Sequence, residues 1–182
     1  MKASVYIATT LDGFIARENG DLDWLPGSDG TVDADLENED FDYNTFMDST
    51  DTLVMGRNTY EMITSFGHWP YENKRVIVLS SSLTEVENSA ELKSCPPEDL
   101  YNELERSGAK HVYIDGGKTI QGFLRAGLID EITITKIPVL IGTGISLFGP
   151  LEKDCHLNHI ETKSYKNGFV QSKYNALRQH VL

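Results

Sequence analysis

The stretch LVMGRNTYEMI, residues 53–63, decides how the rest of the chain is read. Its first part has strand character and its second part helical character, with Gly56, Arg57, Asn58 and Thr59 at the join. We expect a strand over 52–55 and a helix over 57–66. Two readings compete at the turn. A strand-to-helix junction uses glycine for its backbone freedom and Asn or Thr to cap the helix. Alternatively, the helix N-terminus, with its partial positive charge and unpaired N–H groups, attracts an anion, and Arg57 adds a full charge and a fork of donors.

Composition narrows the choice. The chain has 182 residues, 40% of them hydrophobic, and a formal net charge of −12. That length supports one domain over 1–182 with a real core. The acidic balance argues against nucleic acid or an acidic membrane surface as partner, since both need a basic face. A small anionic ligand needs only a local positive pocket. No apolar run is long enough for a transmembrane helix. The N-terminal MKASVYIATTLDG reads as a first strand rather than a signal peptide. Cys95 and Cys155 are too few for a disulfide framework, so a reduced, cytoplasmic protein is expected.

Along the chain, residues 3–9 are apolar at nearly every position, as in a strand covered on both faces. Residues 11–27 hold three glycines and a proline and read as a long ordered loop. Residues 33–50, acidic with scattered apolar positions, read as a partly exposed helix. RVIVLSSS is a buried strand ending in serines. Residues 84–97 read as irregular surface, 98–107 as a helix, KHVYIDGG as a strand and Lys118–Ala126 as a helix. IDEITITKI alternates like a strand, and PVLIGTGISLFGP is a loop with apolar anchors. Two last strands, 155–165 and 168–177, flank YKNGF, whose Asn-Gly is a strong hairpin signal. Strands alternating with helices, then strands alone, imply an α/β fold: a mainly parallel sheet, helices on both faces, and an antiparallel C-terminal hairpin.

In such sheets ligands bind beyond the carboxyl ends of the strands. Three ends carry anion-friendly chemistry: Gly56-Arg57-Asn58-Thr59, Ser80-Ser81-Ser82, and Gly116-Gly117-Lys118-Thr119 after Asp115. Each alone has an ordinary explanation as a turn. Together they offer close backbone approach, helix N-termini, hydroxyls and an arginine for several phosphates. A dinucleotide with an extra ribose phosphate fits, and NADPH is the first choice. The usual Rossmann fingerprint is missing, because GTGISLFG over 142–149 has Leu147 where a glycine is required.

These motifs resemble the dihydrofolate reductase superfamily, most closely the reductase domain of the riboflavin-pathway deaminase-reductases. ATTLDGFIARENGDLDWL, VMGRNTYE, VIVLSSS, YIDGGKTIQGFL and IPVLIGTGISLFG occur in that family's order and spacing across nearly the whole chain. The resemblance implies a dihydrofolate-reductase-like three-layer sandwich and, as an expectation, a homodimer. It implies that Ala8, Ile15 and Ala16 line the nicotinamide pocket. Gly56, Arg57, Asn58 and Thr59 would hold phosphates, with Arg57 favouring NADPH over NADH. Ser80 and Ser81 would meet the adenosine ribose. Asp115, Gly116, Gly117, Lys118 and Thr119 would cradle the pyrophosphate.

Hydride comes from the cofactor, so the protein has to supply orientation, a dry pocket and a proton for the heterocycle. A buried carboxyl suits the last task. Asp40 stands where dihydrofolate reductases carry their substrate-binding carboxylate, and Thr135 matches that carboxylate's threonine partner. The plain reading of Asp40 is one charge in a solvated acidic run, with Glu39 as an alternative register. Asp115 is the second candidate acid; the riboflavin branch carries glutamate there, and its plain reading is a helix N-cap. That branch also carries basic residues in the helix before the glycine motif, whereas EDFDYNTFMDST has none. A pterin and an aminopyrimidine such as 5-amino-6-(5-phosphoribosylamino)uracil both remain open as substrates. Cys155, His156 and His159 do not make a metal site, because i and i+3 on a strand face opposite ways. The competing classes are a catalytically silent NADPH-binding module of the same fold and a reductase of small carbonyl compounds, for which no Tyr/Lys acid pair is evident.

Overall fold

The computed structural model describes residues 1–26 and 41–177. In chain order the strands are β1 (Lys2–Thr10), β2 (Phe14–Ala16), β3 (Thr52–Gly56), β4 (Arg75–Leu79), β5 (Glu91–Lys93), β6 (His111–Asp115), β7 (Glu131–Ile137), β8 (Ile145–Ser146), β9 (Leu157–Ser164) and β10 (Val170–Ala176). The helices are α1 (Tyr43–Ser49), α2 (Arg57–Ser65), α3 (Pro97–Arg106) and α4 (Gly117–Arg125). One sheet runs β5-β4-β3-β6-β1-β7-β10-β9. Its first six strands are parallel, and β10 pairs antiparallel with both β7 and β9.

Strand alternation builds the three layers. Val54, Ile77, Val112 and Ile114 point to one face, where Leu100 and Leu104 of α3 and Ile120 and Phe123 of α4 cover them. Leu53, Met55, Val76, Val78 and Tyr113 point to the other, under Tyr60 and Ile63 of α2, with Phe46 and Met47 of α1 alongside. Successive residues of each central strand are therefore buried in different cores, which is why RVIVL and TLVM read as continuous apolar runs. Fully burying one such Leu or Phe contributes about 1.5–3 kcal/mol.

The acidic stretch is described only from Phe41 onward. Its described part forms α1 over Tyr43–Ser49, which Phe41 and Asp42 precede in the left-handed region (φ 54° and 64°); positions 33–40 of the expected helix lie outside the described residues. Three strands escaped the sequence reading. β5 lies in the segment taken as irregular surface; it is three polar-flanked residues at the sheet edge, too short to show a period. β2 and β8 pair with each other inside the two segments read as loops. Asp12 ties those segments together: it accepts backbone N–H groups from Ile141 (3.1 Å) and Gly142 (2.8 Å) and the Thr10 hydroxyl (2.5 Å).

The YKNGF turn closes the β9–β10 hairpin, with Tyr165 N–H donating to Phe169 O and Gly168 N–H to Tyr165 O, both at 2.9 Å. Gly168 carries the positive φ (84°) while Asn167 does not, so the loop is the three-residue type ending in a left-handed glycine rather than a two-residue turn. All eight residues of β9 are exposed, so no described layer covers either face of this edge strand.

Candidate active site

The sheet order sets β4, β3, β6 and β1 side by side, and their carboxyl ends open into one cavity of about 1050 Å³. Every residue expected to hold the cofactor lines it: Ala8, Ile15, Ala16, Gly56, Arg57, Asn58, Thr59, Ser80, Ser81, Asp115, Gly116, Gly117, Lys118 and Thr119. A smaller hollow of about 450 Å³ continues past Ser80 and Ser81, walled by Ser94, Cys95, Pro96 and Lys118.

The two strand–helix turns interlock. A Cβ at Gly56, before α2, would meet Thr119 Oγ1 of α4 at 2.8 Å; a Cβ at Gly116, before α4, would meet Thr59 Oγ1 of α2 at 2.6 Å. Each turn therefore needs a glycine to accept the other's threonine. Gly116 also has φ 90°, which other residues rarely adopt. Neither helix carries a side-chain cap, so the N–H groups of both first turns face the cleft without a side-chain acceptor. Asp115 does not cap α4; its Oδ1 accepts the Gly116 N–H at 2.8 Å.

Arg57 lies on the rim, half exposed, and its Nη1 donates to Ser82 Oγ at 3.1 Å. Ser82 is in turn gathered by Ser80, whose Oγ accepts the Ser82 N–H at 3.2 Å. Sequence reasoning assigned Ser80 and Ser81 from this run; the structure brings Ser82 onto the arginine. On the far side, Ile15 approaches so closely that a Cβ at Gly117 would lie 2.9 Å from its Cδ1. The clip at Asp12 and the β2–β8 pair hold Ile15 and Ala16 in that place.

Asp115 and Tyr113 are two apart on β6 and so share a face. Tyr113 is buried and its hydroxyl donates to Tyr6 O at 2.9 Å. Burial pushes the Asp115 carboxyl up to about 6, against the opposing effects of the Gly116 N–H and the Tyr113 hydroxyl. Burial likewise raises the Tyr43 and Tyr71 hydroxyls. Tyr6 and Tyr43 line the cavity on the β1 side with ring centroids 5.5 Å apart. Trp24, 3% exposed, lines it too, and its indole Nε1–H is buried with no acceptor among the described residues.

The remaining expectations fall elsewhere. Asp40 lies outside the described residues. Thr135 is buried on β7 beside Ala8 of β1, its hydroxyl accepting from Gln171 Nε2 at 3.1 Å, and it is not part of the cavity lining. Tyr6, Tyr43 and Tyr113 were missed. Tyr113 was readable from its i, i+2 spacing to Asp115, whereas nothing local marks Tyr6 or Tyr43.

A parallel sheet with helices on both faces, an antiparallel hairpin and a cleft at the strand ends defines a dihydrofolate-reductase-like α/β protein. Dihydrofolate reductase from Enterococcus faecalis in complex with NADP(H) superposes with a TM-score of 0.67 at 18% identity, over 96% of each chain, a likeness of fold. More specifically, the chain belongs to the RibD C-terminal domain family, whose model matches residues 2–171. This is the reductase domain of riboflavin-biosynthesis enzymes. YwjB, an uncharacterized protein of Bacillus subtilis (strain 168), is 31% identical over 174 residues, 90% of this chain and 92% of its own. The crystal structure of a Shewanella sp. PV-4 protein provisionally assigned to riboflavin biosynthesis matches with a TM-score of 0.89 and 41% identity, covering 98% of this chain and 100% of that one. Among the described residues no helix is long and apolar enough to cross a membrane.

Proposed function

We propose that this chain is an NADPH-dependent reductase of a planar nitrogen heterocycle of the pterin or aminopyrimidine type. The observation that carries the reading is the interlocked pair of uncapped helix N-termini, which meet over one wall of the cavity. Two sets of unpaired N–H groups at close quarters suit a pyrophosphate, and side chains at positions 56 and 116 would fill the cradle. Arg57 with Ser82 suits a ribose 2′-phosphate, and the hollow walled by Ser94, Cys95 and Pro96 has room for an adenine. The residues present therefore fit NADPH.

When bound there, NADPH supplies the hydride. Ala8, Ile15 and Ala16 present an apolar surface that excludes water from the ring they contact. Asp115 holds its proton up to a pH of about 6. Placed beside Tyr113, it can pass that proton toward a ring nitrogen and recover another from solvent through the cavity. The supply of protonated acid falls as pH rises through about 6, so turnover should decline over that interval.

Titration with NADPH and NADH, followed by loss of nicotinamide absorbance with dihydropterin and aminouracil substrates, tests the reading. Tighter binding of NADPH and oxidation with one of these rings is expected. Failure to bind NADPH would refute the cofactor assignment. Binding without oxidation would favour the silent module.

A further inference from the structure

Resting on that reading, we infer that Gln171 is a positioning residue for the ring being reduced: it acts through Tyr6 and the Phe41–Asp42 turn to set the aromatic end of the cavity. The cofactor phosphates are assigned to the starts of α2 and α4, and the nicotinamide to Ala8, Ile15 and Ala16. That leaves the end walled by Tyr6, Tyr43 and Trp24 for the second ring. Flat aromatic walls suit a planar heterocycle. Gln171 is not part of that lining. It is the one buried side chain of β10, 6% exposed on a strand whose other residues are half-buried or exposed.

The Gln171 amide stands where three elements meet. Its Nε2 lies 2.9 Å from Tyr6 Oη on β1, 2.9 Å from Phe41 O before α1 and 3.1 Å from Thr135 Oγ1 on β7. The Phe41 carbonyl can only accept, so the amide nitrogen is the atom that faces it. Tyr6 Oη donates to the same carbonyl. The Tyr6 ring stacks on Phe46 with centroids 5.0 Å apart and meets Tyr43 at 5.5 Å. An independent feature sits at the same junction. Phe41 and Asp42 both hold positive φ, a region that a bulky residue such as Phe rarely enters. These two residues lead the chain into α1, whose first residue, Tyr43, lines the cavity. Such a conformation persists only where its surroundings hold it. Here Gln171 and Tyr6 hold the Phe41 carbonyl, and Tyr165 and Phe169 pack on its ring at 4.7 and 5.6 Å. No residue of α1 is fully buried, and contacts at its two ends place it. This junction holds the start, and Lys74 Nζ holds the end, donating to Met47 O at 2.7 Å and Thr50 O at 2.6 Å.

Gln171→Met keeps the length of the side chain and removes its donors. In the full, cofactor-free chain, hydrogen exchange read by mass spectrometry should speed up about tenfold over 41–49 and stay unchanged over 57–65 and 117–125. NADP⁺ affinity should stay within about twofold, because the phosphate cradle is remote from the substitution. The NADP⁺-saturated protein is then titrated by calorimetry with 5-amino-6-(5-phosphoribosylamino)uracil and with 7,8-dihydropterin. Whichever ring the wild type takes should bind the variant about tenfold more weakly, the effect of losing one buried donor. Tyr165→Leu loosens Phe41 from outside the cavity lining. It should show the same split between ring and cofactor at smaller size, and it decides the matter if Gln171→Met does not fold. Equal losses for ring and cofactor, faster exchange in all three segments alike, or an unchanged ring affinity overturn this inference alone. Wild-type protein that takes NADP⁺ but neither ring overturns the reductase reading and this inference with it.

Discussion

Replacing Asp115 by Asn should stabilise the protein near neutral pH while impairing turnover. Burial lifts the carboxyl from 3.8 to about 6. Between those values the folded chain holds a proton that the unfolded chain has released, so stability falls as pH rises through the interval. Above about 6 the cost is complete. At roughly 1.4 kcal/mol per pH unit it amounts to at most about 3 kcal/mol. Asn keeps an acceptor for the Gly116 N–H and carries no charge to desolvate. For a chain of this length, about 3 kcal/mol corresponds to roughly 6–12 °C in melting temperature. Paired thermal unfolding of the cofactor-free proteins should show the variant melting higher at pH 7.5. The difference should shrink as pH falls through that interval and close only below both values, toward about pH 3, where wild-type Asp115 is protonated in both states. Other carboxylates titrate alike in the two proteins and cancel. A variant that melts no higher at pH 7.5, or whose advantage does not depend on pH, would refute the assignment of Asp115 as a desolvated acid.

Arg57→Ala should weaken NADPH binding roughly tenfold to a hundredfold and leave NADH nearly unchanged, as read by fluorescence titration; parallel losses would show that Arg57 does not meet a 2′-phosphate. Gly116→Ala places a Cβ 2.6 Å from Thr59 Oγ1 at φ 90° and should cost about 1–3 kcal/mol in chemical unfolding while abolishing cofactor binding. Asp12→Ala removes the acceptor for two backbone N–H groups and should raise the KM for NADPH more than it lowers stability, if Ile15 and Ala16 contact the nicotinamide; an unchanged KM would separate this clip from the site. Phe123→Ala should cost about 3–5 kcal/mol, because its side chain is fully buried beneath the sheet, and urea unfolding would measure it.

Much of this architecture was readable because it is built from strong local signals. The runs TLVM, RVIVL and HVYI are buried on both faces and announce themselves as central parallel strands. The glycines before α2 and α4 mark where strand yields to helix. What escaped was either too short or too far apart in sequence. β2, β5 and β8 span two or three residues each and exist through their partners rather than their own periodicity. The aromatic end of the cavity joins Tyr6, Tyr43 and Tyr113, which become neighbours through the sheet order. The engagement of Ser82 by Arg57 likewise depends on β4 lying beside β3. Asp115 stood out by its position before two glycines, but its raised acidity constant comes from surroundings that no window of sequence displays.

The reciprocal fit of Gly56 with Thr119 and Gly116 with Thr59 also bears on how the chain reaches its native state. Each pairing closes a loop of about sixty residues, and neither turn has its final shape until β3 and β6 are zipped along their length. Such non-local closure is slow relative to helix or hairpin formation. Competence to bind a dinucleotide should therefore emerge late in refolding, after most helical signal has returned, so that the ligand reports completed topology rather than early collapse.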